Sequence, residues 1–165
     1  MWSISSCSRT ALIVAVIVAT GRIGIAVERM ALPAFTLTRG DGATVASGAL
    51  VRPGRWALIY VAPQCRPCES ILRSIDPAAH PALPQQLVIV VAGATPAQVL
   101  EEAARYPGLS DATWLGDPSS AIPQPIGGAV PGIVGMQDKM IEWSLAGVLT
   151  DPSDVKSILV NWSGR

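Results

Sequence analysis

Residues 60–68, Tyr-Val-Ala-Pro-Gln-Cys-Arg-Pro-Cys, place Cys65 and Cys68 where a buried strand changes into a helix. The preceding stretch Trp56–Val61 is entirely apolar, which is typical of a central strand covered on both faces. The following apolar side chains recur at i, i+3, i+4 and i+7, the spacing of a helix with one buried face: Cys68, Ile71, Leu72 and Ile75. We therefore expect Cys65 at the exposed N-terminus of the helix, and Cys68 one turn further on, facing the core.

This placement predicts redox chemistry. A thiolate at a helix N-terminus is stabilised by unpaired backbone N–H groups and by the positive end of the helix dipole. Such cysteines have pKa values lowered from ~8.5 to roughly 3.5–7.5. Arg66 adds a positive charge beside Cys65. The sequence therefore predicts Cys65 as the nucleophile and Cys68 as the resolving thiol that closes a disulfide.

A static structural disulfide and half of a zinc site are the alternative interpretations of this cysteine pair. Zinc needs about four ligands, and the remaining candidates are Cys7 and His80, with no second Cys-x-x-Cys motif in the chain. His80 falls in a proline-rich loop, where a solvated histidine is expected. The sequence therefore favours a redox pair with no metal and no cofactor.

Composition and charge limit the remaining classes. The chain has 165 residues, of which 50% are hydrophobic, and this is enough for one domain with a substantial core. It carries 12 basic and 12 acidic residues, for a formal net charge of zero. With no basic cluster, nucleic acid is not an expected partner.

Residues 1–29 are separate from this domain, which we assign to residues 30–165. Arg9 precedes the short apolar run 11–19, a pattern that resembles a secretory signal. The run is shorter than the ~20 residues that span a bilayer comfortably.

Two fates of this leader remain open. It is either a cleaved signal or an uncleaved anchor formed by residues 10–26, with Arg22 reaching the membrane interface. Both place the domain outside the cytoplasm, in the bacterial periplasm. A third possibility is that translation starts at Met30 and the leader is not made. Cys7 precedes the apolar run, so a lipoprotein anchor is not expected.

The rest of the domain predicts an α/β fold. Residues 87–92 form a second continuous apolar run and predict another central strand. Shorter strands are expected at 32–38, 44–46 and, as an edge strand, 112–115, and an antiparallel hairpin at 129–136 and 140–145. The alternation in the second hairpin strand predicts that Ile141, Trp143 and Leu145 share one face.

Two further helices have start signals. Thr95-Pro-Ala-Gln98 is a capping box, and the helix that follows is expected to bury Val99, Leu100, Ala103 and Ala104. Asp151-Pro152 caps a last helix whose apolar stripe is Val155, Ile158, Leu159 and Trp162.

Taken together, these residues resemble the thioredoxin superfamily over Leu32–Trp162. The matching pieces are Cys65-Arg-Pro-Cys68 between a strand and a helix, Pro131 at the start of the hairpin, and the terminal helix. The resemblance implies a central mixed sheet flanked by helices. The long span before Pro131 resembles the exported or membrane-tethered TlpA-like branch. Within that branch, three short pieces look like MauD-type accessory factors linked to methylamine dehydrogenase maturation: residues 32–35, 62–65 and 145–149.

The resemblance also implies roles for individual residues. It implies that the Val130–Pro131 bond is cis and lies against the cysteine pair, and that the Val130 backbone pairs with an extended client segment. Gln64, where many members have Trp, and Arg66 flank Cys65 and are expected to contact clients. The implied partners are client proteins with disulfides or dithiols and a membrane or periplasmic redox partner.

Two departures from the family concern proton transfer. The buried acid that thioredoxins carry in the central strand aligns with Ile59, and the position after the second cysteine holds Glu69 instead of a basic residue. The proton of Cys68 must then pass to water or to Glu69. The sequence thus predicts an exported thiol–disulfide oxidoreductase that reduces or exchanges client disulfides. The alternative is a client-binding chaperone whose disulfide is inert.

Overall fold

The computed structural model describes residues 29–147 and 151–164, so the predicted leader lies outside the described residues. Within these ranges the chain forms eight strands: β1 (Met30–Ala31), β2 (Thr36–Thr38), β3 (Thr44–Ala46), β4 (Arg55–Val61), β5 (Leu87–Ala92), β6 (Thr113–Asp117), β7 (Gly132–Gln137) and β8 (Met140–Ala146). They are joined by three α-helices: α1 (Arg66–Ser74), α2 (Pro96–Ala104) and α3 (Pro152–Ser163). The main elements therefore follow the order expected from the sequence.

The strands form one mixed sheet in the order β1-β8-β7-β4-β5-β6-β2-β3. Strand β4 lies in the interior, parallel to β5 and antiparallel to β7. The predicted edge position of 112–115 is wrong, because β6 pairs with β5 on one side and with β2 on the other. The β2–β3 hairpin extends the sheet beyond β6, which therefore has neighbours on both sides.

The two faces of the sheet are covered differently. Ala57, Ile59 and Val61 of β4 face a cluster to which all three helices contribute, through residues such as Leu72, Val99 and Leu159. In both crossovers, β4-α1-β5 and β5-α2-β6, the chain moves to the next strand in the same direction along the sheet. Because such connections are right-handed, α1 and α2 lie on the same face of the sheet. The opposite face is covered by irregular segments that supply Leu32, Phe35, Leu50, Ile122 and Ile126. The helices therefore flank one side of the sheet only.

A β-bulge corrects the predicted face of Ile141. In the β7–β8 ladder, Gly135 lies opposite Trp143 and Met136 opposite Ile141, which leaves Glu142 as the extra residue. The extra residue reverses the alternation of side chains. Ile141 consequently packs on the face away from the helices, while Trp143 and Leu145 pack on the helical face.

Two other local predictions were wrong in detail. Helix α2 buries only Val99, whereas Leu100 is 59% exposed and Ala104 is exposed. A Cβ added at Gly40 would lie 2.4 Å from Leu100 Cδ2, so Leu100 rests on the β2–β3 turn instead of the sheet. The expected strand 32–38 is shortened to β2 (Thr36–Thr38), and residues 32–35 are irregular, since Pro33 has no N–H to donate to a ladder.

Gly132, at the start of β7, is held in a crowded position. A Cβ at this residue would lie 2.7 Å from the carbonyl oxygen of Ile126 and 2.9 Å from that of Ala129. Both contacts are backbone atoms, which cannot move aside as a flexible side chain can. The glycine therefore lets the loop before β7 pack directly on the sheet.

We expect Gly132→Ala to lower the free energy of unfolding by about 1–3 kcal/mol, because the added methyl group displaces that loop. Gly48→Ala is the matched control, since a Cβ there meets no atom within 4 Å. Its effect is expected to stay within roughly 0.5 kcal/mol. Denaturant titration of both variants measures the difference, and equal effects would contradict this explanation.

Candidate functional site

The two cysteines form a disulfide at the N-terminus of α1. Cys65 is the N-cap residue and is partly exposed, and its Sγ accepts a hydrogen bond of 3.2 Å from the backbone N–H of Cys68. Cys68 lies in the first turn and is only 2% exposed. The predicted placement of both residues is confirmed: one sulfur can be approached from solvent, and the other faces the core.

Strand β4 explains why the cysteines lie at this end of the sheet. Its side chains from Trp56 to Val61 are all buried, and the chain leaves the sheet directly after Val61. Gln64 then adopts a positive φ of 60°, which turns the backbone into the N-terminus of α1. Gln64 and Arg66 are both exposed on either side of Cys65.

The Val130–Pro131 segment lies at the same end of the sheet. Gly132, the next residue, pairs with Tyr60 near the end of β4. The bond between Val130 and Pro131 is cis, as the resemblance implied. Pro131 is buried and its carbonyl accepts a hydrogen bond of 3.0 Å from Gly147, while Val130 is 38% exposed. The segment therefore presents Val130 to solvent.

A charged cluster joins α1 to α2 beside the cysteines. Arg73 donates hydrogen bonds of 3.0 and 2.9 Å to Glu69, and Arg105 lies 3.7 Å from the same carboxylate. Arg105 also binds Glu102 with distances of 3.1 and 2.9 Å. The hydrogen bond from Arg73 is the main cause that lowers the pKa of Glu69. Glu69 therefore remains an anion at neutral pH.

Two clefts adjoin this cluster. A narrow crevice of about 10 Å³ is lined by both cysteines together with Val61, Ala62, Gln64, Glu69, Leu72, Glu102, Arg105 and Tyr106. A wider cleft of about 310 Å³ lies next to it, over Pro63, Gln64 and the exposed side of α2. A still larger cleft, of about 670 Å³, lies at the opposite end of the sheet around Arg52 and Arg55, away from the cysteines.

Sequence reasoning missed Glu102 and Arg105 as neighbours of the cysteines. Glu102 lies on α2 and Arg105 directly follows it, both after a different strand, and only the tertiary fold brings Arg105 to Glu69. The available signal was the spacing of Glu102 and Arg105, three residues apart on a predicted helix, which favours an ion pair. That signal does not show which surface the pair faces.

Asp117 was also missed. It is 1% exposed at the end of β6 and accepts hydrogen bonds from Tyr60 Oη (3.1 Å) and from the backbone N–H groups of Ala121 (3.1 Å) and Ile122 (3.2 Å). These bonds fix the start of the irregular segment that leads to Val130. A carboxylate directly after a strand and before Pro118 is a common turn signal, so its burial could not be read from the sequence.

Neither a metal site nor a membrane-spanning helix is found among the described residues. Residues 29–147 and 151–164 contain no group of three or more His, Cys, Asp or Glu side chains placed to hold a metal ion. Among the same residues, no helix is long and apolar enough to cross a membrane.

The fold defined by this sheet, the disulfide and the helices is thioredoxin-like, and the solved structures that resemble it include a thiol–disulfide isomerase and a disulfide oxidoreductase. A secreted thiol–disulfide isomerase from Corynebacterium glutamicum matches with a TM-score of 0.60 and 13% identity, over 90% of this chain and 96% of that chain. A DsbF homologue from Corynebacterium diphtheriae matches with a TM-score of 0.58 and 15% identity, over 86% and 96% respectively.

A secreted disulfide oxidoreductase of Mycobacterium tuberculosis, homologous to DsbE of Escherichia coli, matches with a TM-score of 0.51 and 18% identity. It covers 77% of this chain and 95% of that chain. No family model and no curated protein matches the chain. At these identities the structural likeness establishes the fold.

The hydrogen-bonded pair of Tyr60 and Asp117 makes the free energy of unfolding depend on pH in the alkaline range. Burial, followed by the Asp117 charge, raises the pKa of Tyr60 to about 12. Because this folded value lies above the unfolded value of ~10, the protonated phenol contributes stability that is complete below about pH 10. That contribution is lost as the pH rises through about 12.

We expect the free energy of unfolding of the wild type to fall more steeply than that of Tyr60→Phe above about pH 10, by up to about 2 kcal/mol. Tyr106, whose pKa is also raised by burial, is present in both proteins and cancels from the comparison. Denaturant titrations at several alkaline pH values measure the difference. Parallel curves for the two proteins would show that Tyr60 does not titrate in this way.

Proposed function

We propose that the chain is a thiol–disulfide oxidoreductase in which Cys65 is the nucleophile and Cys68 the resolving thiol. The observation that carries this proposal is the asymmetry of the disulfide. Cys65 caps a helix N-terminus and is partly exposed, whereas Cys68 is 2% exposed. A thiolate of Cys65 is stabilised by the helix dipole and by the N–H of Cys68, so it is the better leaving group and the better nucleophile at neutral pH.

The reaction balances with a client disulfide as the oxidant. The Cys65 thiolate attacks one client sulfur, the client S–S bond breaks, and the first client thiolate leaves. The Cys68 thiolate then attacks Cys65 Sγ, which releases the second client thiolate and forms the Cys65–Cys68 disulfide. Two electrons pass from the protein to the client, and a partner dithiol returns them. In the reverse direction, the Cys65–Cys68 disulfide accepts two electrons from a client dithiol, which becomes a disulfide.

Client segments are proposed to bind across the disulfide. The exposed Val130 and the buried Pro131 lie at the end of the sheet where Cys65 emerges, so an extended client segment can pair with the Val130 backbone by strand addition. Gln64 and Arg66, both exposed, contact the client on the other side of Cys65. Pro131 is thus proposed as a site residue through the backbone that it positions.

The proposed location is outside the cytoplasm, in the periplasm, either soluble or tethered by residues 10–26. Support comes from the basic and apolar leader and from structural neighbours that are described as secreted. The proposed clients are exported proteins that carry disulfides or dithiols. The MauD-like pieces favour a client involved in maturation of a periplasmic dehydrogenase or cytochrome, and a membrane or periplasmic protein is the proposed redox partner.

The cysteine roles are tested in a Cys7→Ser background, so that Cys65 and Cys68 are the remaining thiols. In the reduced protein, alkylation at about pH 6 is expected to label Cys65 far ahead of Cys68, because only Cys65 has a helix-terminal thiolate. Cys65→Ser is expected to abolish disulfide exchange with a client. Cys68→Ser is expected to retain a slow first step and to accumulate a mixed disulfide.

The alternative, a client-binding chaperone whose disulfide is inert, predicts the opposite behaviour of the serine variants. A client-binding chaperone would keep its activity in both serine variants and would form no mixed disulfide. Equal labelling of the two cysteines in the reduced protein would contradict the assigned roles. Mass spectrometry of the labelled peptides and of trapped adducts measures each outcome.

Export is tested with a fusion of residues 1–40 to a reporter that is active only in an oxidising compartment. We expect the fusion to be active in a bacterial host, because a positive residue before an apolar run directs export. A fusion that begins at Met30 is the matched control and is expected to be inactive. An inactive fusion of residues 1–40 would instead favour a start at Met30 and a reducing compartment.

A further inference from the structure

Re-formation of the disulfide requires a proton acceptor near a buried thiol. When Cys68 attacks Cys65, it must first lose its proton, and burial disfavours the thiolate of a side chain that is 2% exposed. The β4 side chain below it, Ile59, is apolar and fully buried, so it offers no proton acceptor. The proton of Cys68 must therefore leave through the opening that reaches this side chain.

That opening is the crevice of about 10 Å³ lined by both cysteines. A cavity needs roughly 10–15 Å³ of this kind of volume to hold one water molecule. The crevice therefore has room for about one water, with polar partners supplied by Gln64, Glu69, Glu102, Arg105 and Tyr106. A water in this crevice would lie between the cysteines and these polar side chains.

The titratable side chains of the crevice differ in their ability to accept a proton. Hydrogen bonding to Glu102 raises the pKa of Arg105, which stays a cation. Burial raises the pKa of Tyr106, which stays a neutral phenol. Glu69 has a lowered pKa, because it faces Arg73, Arg105 and Arg66. The guanidinium groups of Arg73 and Arg105 both lie within salt-bridge distance of its carboxylate.

Glu102 has a different environment. Its side chain is 14% exposed, compared with 37% for Glu69, and Arg105 is the one cation within salt-bridge distance of it among the described residues. Its other titratable neighbours in the crevice are Glu69 and Tyr106, whereas Glu101, the adjacent residue on α2, lines the wider cleft instead. Glu102 is therefore held by one guanidinium group, whereas two lie within salt-bridge distance of Glu69.

We propose that Glu102 accepts the proton of the Cys68 thiol through one water in this crevice when the disulfide closes, with Arg105 as the residue that holds the carboxylate in place. This inference rests on the proposed function and names the proton acceptor of its second step. The S–H bond of Cys68 breaks, the proton passes by water to Glu102, and the sulfur electron pair forms the bond to Cys65 Sγ. The client thiolate leaves, and Glu102 returns the proton to solvent.

The proposal is tested by the rate of disulfide closure in the full chain in a Cys7→Ser background. The reduced protein is mixed with one equivalent of Ellman's reagent, whose coloured thiolate is released first by Cys65 and then by Cys68. Glu102→Gln is expected to slow the second release by at least ~10-fold near pH 6.5, where general base catalysis matters most. The two rates are expected to converge at alkaline pH, where hydroxide removes the thiol proton without assistance from a side chain.

Glu101→Gln is the matched control, since Glu101 is the adjacent residue on α2 and lies outside the crevice. Its closure rate is expected to follow the wild type at every pH. If Glu102 acts only by its charge, removing that charge lowers the pKa of the nearby thiol, and Glu102→Gln closes faster at low pH. A faster rate, an unchanged rate, or equal slowing at all pH values in Glu102→Gln would each overturn the proposal.

A failure of this proposal can be distinguished from a failure of the proposed function. If wild-type protein does not exchange disulfides with a client protein, the proposed function is wrong. If it does so and only the Glu102→Gln profile fails to differ, the function stands and the proton acceptor is elsewhere. Circular dichroism and a melting curve for each variant show whether the fold is retained.

Discussion

The pairing of β4 with a neighbour on each side is the constraint on which the structure depends. Ile59, in the middle of the strand, lies opposite Ile89 of the parallel strand β5 and Ile133 of the antiparallel strand β7. Both edges of β4 are hydrogen-bonded and both faces are covered, so its direction in the sheet is fixed. Because β7 runs the other way, its first residues meet the last residues of β4. This is why Val130, distant in sequence, arrives at the end of the sheet where Cys65 emerges.

Different residues determine the stability of the fold and the reactivity of the disulfide. The two apolar clusters on either side of β4 supply the burial that holds the fold together. The ion pairs of Glu69 with Arg73 and Arg105 are substantially exposed, and such pairs contribute little to stability. Their effect is local: they set the charge around a disulfide whose reactivity depends on the balance of nearby positive and negative groups.

The sequence was sufficient for the parts of the fold that a periodic pattern encodes. The apolar runs predicted β4 and β5, the capping signals predicted the starts of α2 and α3, and the Cys-x-x-Cys spacing predicted one exposed and one buried cysteine. What could not be predicted depends on contacts between segments far apart in the chain. The bulge at Glu142 reverses the face of Ile141, and Leu100 rests on Gly40, a neighbour that no local pattern reveals. For the same reason the charged residues of α2 beside the cysteines were missed, although the cysteines themselves were found.

The position of β1 has a consequence for the edge of the sheet at β8. Met30 pairs with Ile141 and Ala31 with Met140, beside the turn that joins β7 to β8, and this turn lies at the end of the sheet where β4 begins. The seven residues of β4 separate that end from the disulfide by about 20 Å. Strand β1 runs antiparallel to β8, so the chain runs through it toward this end of the sheet and away from the end that carries Cys65. Beyond Ile141, the outer edge of β8 has no strand neighbour among the described residues up to Ala146, which lies opposite Gly132, and this edge presents unpaired backbone groups at the end of the sheet that carries Cys65.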